Sequence, residues 1–123
     1  MNKQVQSIYH GGKYILFSDY AGLQGSQFID YINEHYSQHR KIIEKGGNNL
    51  LILTDIKGCT ADREVMKLMK QTVKINGPSI KKSAVIGVDG LQRVLLNAIN
   101  RFSAVDTKVF SSKPDAIEWL AKE

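Results

Sequence analysis

The side chains whose type and spacing could carry chemistry gather at strand-to-helix junctions. The first is Asp55-Ile56-Lys57-Gly58-Cys59-Thr60. Thr60 stands just before a helix start, where free backbone N–H groups and the helix dipole favour added negative charge, so its hydroxyl is a candidate phosphate acceptor. The same position also suits a helix N-cap. Cys59 is a candidate reactive thiol if Lys57 and the helix start lower its pKa; the alternative is a small, partly buried residue. Asp19 and Asp55 each follow a strand and are expected to converge at one end of a sheet, where α/β proteins place ligands. Two carboxylates suit acid–base work, yet no nucleophile accompanies them. Gly87-Val88-Asp89-Gly90, with Arg93 one turn further on, has the general look of a phosphate-cradling turn. It lacks both Gly-x-x-x-x-Gly-Lys and Gly-x-Gly-x-x-Gly. Asp89 suits an N-cap, so the stretch reads as a tight turn whose glycines allow close packing. His35 and His39 have a chelating spacing, with His10 as a third histidine, but Tyr36 stands where His-Glu-x-x-His requires Glu. Packing at the edge of an apolar helix face accounts for the pair. With no catalytic constellation, metal-ligand set or cofactor motif in the sequence, the expectation is a protein that is not an enzyme and uses no cofactor.

Charge gives a second kind of candidate. The net charge is +5, and residues 57–108 hold 10 of the 17 Lys and Arg against 4 of the 12 Asp and Glu. At 100° per residue, Arg63, Lys67, Lys70 and Lys74 share an arc of about 60° on one helix. Val65, Met66, Leu68, Met69 and Val73 lie opposite. That stripe, extended by Lys81 and Lys82, could meet phosphates or an acidic protein. A basic face opposite an apolar one is also how a solvated surface helix looks. No aromatic residue suited to base stacking interrupts it and no helix-turn-helix spacing appears, so a protein contact or a solvated face is preferred to nucleic acid.

The elements that must position these groups alternate. Gly11-Gly12 between Val5-to-Tyr9 and Tyr14-Ile15-Leu16-Phe17 predicts a hairpin. A long helix follows from Gln24 or Ser26 to Glu44, with Phe28, Ile32, His35, His39 and Ile42 on one stripe, closed by Gly46-Gly47. Leu50-Leu51-Ile52-Leu53-Thr54 has no polar face and reads as a central strand buried on both sides. A helix from about Asp62 to Ile75, a strand at Ser83–Val88 and a helix from Asp89 or Gly90 to about Phe102 come next. That third helix is expected to bury Leu91, Val94, Leu95, Ala98 and Phe102. Lys108-Val109-Phe110 is a short last strand. Ser112 with Asp115 and Pro114 marks the start of a final helix that buries Ala116, Ile117, Trp119 and Leu120. The order β-β-α-β-α-β-α-β-α implies a mainly parallel sheet of four or five strands, an antiparallel first strand at an edge, and four helices on both faces.

Length and composition bound the rest. A chain of 123 residues with 42% apolar and 24% charged content is expected to form one folded domain. One cysteine precludes an internal disulfide. No apolar run nears the ~20 residues of a membrane span, and Met1-Asn2-Lys3-Gln4-Val5 lacks a signal-peptide core. A cytoplasmic protein is expected.

Asp19-Tyr20-Ala21-Gly22-Leu23, Leu50 through Asp55, Lys82 through Leu91 and Phe110 through Leu120 occur in that order. Together they resemble the SpoIIAA-like family of bacterial STAS-type proteins, over nearly the whole chain. The resemblance implies a STAS-like α/β fold. Relatives in the wider group are anti-anti-sigma factors that bind a kinase or anti-sigma partner and are switched by phosphorylation, and the fold is related to that of CRAL-TRIO lipid-transfer domains. In anti-anti-sigma factors an Asp-Ser-Ser/Thr-Gly sequence carries the phosphate acceptor. Here that region is Asp55-Ile56-Lys57-Gly58-Cys59-Thr60-Ala61-Asp62, so the motif does not match and the switch is not carried over. The expected function is a regulatory, protein-binding module. Its working surface would comprise Asp55, Lys57, Gly58, Cys59 and Thr60, the helix positions Arg63, Lys67, Lys70 and Lys74, and Asp89, Gly90 and Arg93. The alternative is a carrier that holds a lipid-like ligand between helices and sheet. A homodimer fits an open sheet edge; the protein partner is not named by the sequence.

Overall fold

The computed structural model describes residues 6–34, 49–60, 62–76, 80–90, 93, 96, 97, 100 and 107–122. Gly11 and Gly12 both take positive φ (58° and 80°), the geometry of a two-residue hairpin turn that glycine adopts without steric cost. They join β1 (Gln6–His10) to β2 (Lys13–Asp19), which pair antiparallel. From β2 onward every pairing is parallel: β2 with β3 (Leu50–Asp55), β3 with β4 (Ile80–Ile86), and β4 with β5 (Thr107–Val109). The sheet order is β1-β2-β3-β4-β5, so each strand lies beside its chain predecessor.

Three helices are described as continuous elements against four expected: α1 (residues 25–34), α2 (Arg63–Asn76) and α3 (Lys113–Ala121). Between β4 and β5, residues 90, 93, 96, 97 and 100 are also helical. The remainder of the first expected helix, with Ile42 and the Gly46-Gly47 stop, lies outside the described residues. So do the side chains of Val73, Leu91, Val94, Leu95, Ala98 and Phe102.

Two clusters fill the two faces of the sheet. Phe28, Tyr31 and Ile32 of α1, Val65 and Met69 of α2, and Leu96 pack together with Val85 of β4. The other face holds Ile15, Phe17, Leu51, Leu53, Ala84 and Ile86 against Ala116 and Leu120 of α3. Helices thus flank both faces, as the element order predicts, but unequally. A parallel step with a right-handed crossover places its helix on one given face. Three successive steps in one direction therefore send α1, α2 and the 90–100 helical segment to the same side, and α3 alone covers the other. This winding has no reversal point between parallel strands, so the crevice that doubly wound sheets offer to ligands is absent from the described strand order.

The strand and helix ends follow local chemistry. β4 starts at Ile80, ahead of the expected Ser83, and stops at Ile86, where Gly87 takes φ +78°. β5 is Thr107–Val109, one residue earlier than expected, although the Phe110 N–H still donates to Val85 O at 2.9 Å. Ser112 caps α3 as its spacing predicts: its hydroxyl accepts from the Asp115 N–H at 3.2 Å. Ala116 and Leu120 are fully buried, while Ile117 and Trp119 pack at the edge of the cluster.

Leu53 has no exposed surface and sits at the centre of the α3 face, so Leu53→Ala leaves a cavity and should lower stability by about 2–5 kcal/mol in urea unfolding. Val109→Ala, at a position 43% exposed, should change it by less than about 0.5 kcal/mol.

Candidate functional site

The C-terminal ends of β2, β3 and β4 meet in one interlocked set of turns. Asp19 and Asp55 are register partners, so the two carboxylates do converge at this end of the sheet. Each is engaged in local turn chemistry: Asp19 Oδ1 accepts from the Ala21 N–H at 3.1 Å, and Asp55 Oδ1 from the Lys57 N–H at 3.0 Å. The backbone then laces the turns together. Tyr20 N–H donates to Asp55 O and Gly22 N–H to Lys57 O, both at 2.9 Å, while Ile56 N–H donates to Ile86 O at 3.1 Å. Gly87 makes the closest approach. A Cβ built there would lie 2.7 Å from the Lys57 N and Cβ and 2.8 Å from Asp55 Oδ1, in a left-handed conformation that side chains resist. The turn from Gly87 to Gly90 is therefore a packing device, as its glycines imply, and Asp89 O accepts from the Arg93 N–H at 3.0 Å in the helical turn that follows.

The start of α2 corrects one reading of Thr60. Asp62 is the cap, its Oδ1 accepting from the Val65 N–H at 2.9 Å and its backbone O from the Met66 N–H at 2.9 Å. Thr60 lies before the cap, held by its own N–H to Leu23 O at 3.0 Å, with an exposed side chain. Lys57, Gly58, Asp89, Gly90 and Arg93 are exposed at the same end of the sheet.

Behind this rim the ionisable groups are suppressed. Cys59 is 3% exposed; burial pushes its thiol up to about 11, and the negative charges of Asp55 and Asp89 add to the shift. A neutral, enclosed thiol is a poor nucleophile, which overturns Cys59 as a reactive residue. Burial also raises the Tyr20 hydroxyl well above its ordinary value, reinforced by Tyr31 and opposed by a hydrogen bond with Ser18. Burial likewise raises Tyr31, whose oxygen accepts the Asp19 N–H at 3.0 Å. Tyr20 packs edge-on against Tyr31 at 5.4 Å and tilted against Phe28 at 5.1 Å. This buried tyrosine pair anchors the β2 turn to α1. Tyr31 belongs by its helical spacing to the apolar side of the Phe28 and Ile32 stripe, but nothing local marks Tyr20 as its buried partner.

The remaining candidates disperse. On α2, Arg63, Lys67 and Lys74 are exposed, Lys70 is half-buried, and Val65 and Met69 are buried opposite, as an amphipathic surface helix requires. Lys82 does not extend that stripe. It shares a sheet face with Ala84 and Ile86, on the α3 side, where its ammonium donates to Trp119 O at 2.9 Å and Lys122 O at 2.6 Å. His35 and His39 lie outside the described residues. His10 Nε2 is 2.6 Å from Glu118 Oε1, which ties the hairpin to α3.

A five-stranded mixed sheet, with an interlocked strand-end rim and unequal helix layers, defines a SpoIIAA-like α/β protein. The chain belongs to the SpoIIAA-like family, whose model matches residues 13–121. Among solved structures it resembles an uncharacterised protein of the DUF3478 family with a SpoIIAA-like fold from Shewanella loihica PV-4. The two share 21% identity at a TM-score of 0.66, over 95% of this chain and 92% of that one, a likeness of fold. No curated protein sequence matches the chain. Among the described residues no helix is long and apolar enough to cross a membrane.

A thiol whose pKa is raised on folding favours the native state fully below its unfolded value near 9, and that contribution is lost as the pH rises through about 11. Wild-type stability should therefore fall across this window by about 2–3 kcal/mol more than that of Cys59→Ala, measured as urea midpoints at pH 8 and pH 11.

Proposed function

We propose that this protein is a non-enzymatic regulatory module that binds a protein partner through the rim at the C-terminal ends of β2, β3 and β4. One observation carries the proposal: Lys57, Gly58, Thr60, Asp89, Gly90 and Arg93 are exposed around turns that backbone hydrogen bonds and the Gly87 contact hold rigid. Exposed polar loops on a rigid scaffold are where recognition is usually placed. The groups behind them are buried and held neutral, which suits a surface that is recognised rather than one that reacts. Thr60 extends the proposal to a switch. Freed from capping by Asp62, its exposed hydroxyl is available to a kinase, and a phosphate there would stand near the N-terminus of α2 with Lys57 in the same loop. Family membership supports a protein-binding role in a bacterial cytoplasm, and β1 and β5, the edge strands among the described residues, offer a route to self-association.

Photocrosslinking in the native host tests the surface. With a benzophenone amino acid in place of Thr60, a discrete protein adduct should form, and Lys57→Ala with Asp89→Ala should reduce it at least tenfold. The same probe in place of Tyr14, at the other end of β2, should give none. Equal adducts from both positions, or none from position 60, would count against the rim. The mass of one phosphate on the Thr60 peptide in some growth state is the expected mark of the switch; its absence in every state would remove the switch from the proposal.

A further inference from the structure

At the opposite end of the sheet, where β2, β3 and β4 begin, a cleft of about 590 Å³ opens beside the C-terminal end of α3. Its volume falls in the range of small-molecule sites, about 300–1,000 Å³. The buried side chains of Leu51 and Leu120 line it, with exposed Tyr14 at the side. Four lysines converge on it: Lys13, Lys81, Lys82 and Lys122.

Among the described residues, one of the four ammonium groups is engaged by the fold. Lys82 Nζ donates to the terminal carbonyls Trp119 O and Lys122 O, and lies 5.0 Å from the Trp119 ring centroid, so it caps the negative end of the α3 dipole. Lys13, Lys81 and Lys122 pair with no carboxylate among the described residues. The groups are close enough to act on one another: the Lys82 ammonium is lowered from its ordinary pKa by partial desolvation and then by the charges of Lys13, Lys81 and Lys122. Like charges gathered beside apolar side chains repel one another, and a bound anion relieves that repulsion.

We propose that this cleft binds a small organic anion, a carboxylate or phosphate on an apolar body, with its charge on Lys13, Lys81 and Lys122 and its body against the exposed Tyr14 ring and the edge of Leu51. The site is separate from the strand-end rim and does not depend on it. It also differs from a carrier of neutral lipid, because the cleft is rimmed by ammonium groups.

Calorimetric titration of the full chain at 50 mM NaCl with octanoate, octyl phosphate, octanol and inorganic phosphate tests the proposal. At least one of octanoate and octyl phosphate should bind saturably at one site, and which of them does identifies the headgroup. Octanol and inorganic phosphate should each bind at least tenfold more weakly, and 300 mM NaCl should weaken the anion. Lys13→Ala with Lys122→Ala should cost about tenfold or more in Kd at an unchanged Tm, while Lys82 is left intact to cap α3. Should the double variant unfold, Lys81→Gln alone should weaken binding severalfold. Octanol binding as tightly as the anions would overturn the charge assignment, and inorganic phosphate binding as tightly would overturn the apolar one. No saturable binding, or affinity unchanged in a folded variant, would overturn the site itself.

Discussion

Each parallel step of this sheet is taken in the same direction, and each crossover must have the same hand. That constraint sends α1, α2 and the 90–100 helical segment to one face and leaves the other to α3. The two faces consequently differ in kind. One is a thick layer that encloses Tyr20, Tyr31 and Cys59. The other is covered by a single helix of 9 residues, and beside its C-terminal end the lysine-lined cleft opens. The two ends of the sheet differ for the same reason. Every strand-to-helix turn from β2 to β4 leaves at the C-terminal end, so the exposed loops accumulate there and brace one another.

Bracing of that kind needs a close approach, and the Gly87 position supplies it. With a side chain there, the turn after β4 could not sit against the Lys57 backbone, and the loops after β3 and β4 would separate. Once they are joined, the rim becomes a fixed relief of small and charged groups over a buried polar layer. Its tyrosine hydroxyls are held by Ser18 and the Asp19 backbone. Buried polar groups that are satisfied in this way specify one arrangement more than they add stability.

The legible parts of the fold were those with a local cause. Gly11-Gly12 between β-prone runs, the Ser112 cap and the all-apolar Leu50–Thr54 run each act within a few residues, and each element stands where its residues imply. The parts that could not be read depend on partners distant in the chain. Two residues able to cap stand two apart at the start of α2; the Leu23 carbonyl engages Thr60, and Asp62 caps. Lys81 and Lys82 precede the strand start expected at Ser83, yet β4 runs through them, and Lys82 reaches Trp119 of the last helix. The unequal helix layers follow from strand order, which no local pattern encodes. Within the candidate site, the convergence of Asp19 and Asp55 was legible from strand ends. The burial of Cys59 was open between two readings until its surroundings were known.

The central claim is that the strand-end rim is a protein-binding surface, and a native mass spectrum of the chain isolated from its own host tests it most directly. The expected result is a stoichiometric partner protein, released when the sample is denatured and missing when the chain carries Lys57→Ala with Asp89→Ala. The chain alone, or a partner retained undiminished by that folded variant, would contradict it.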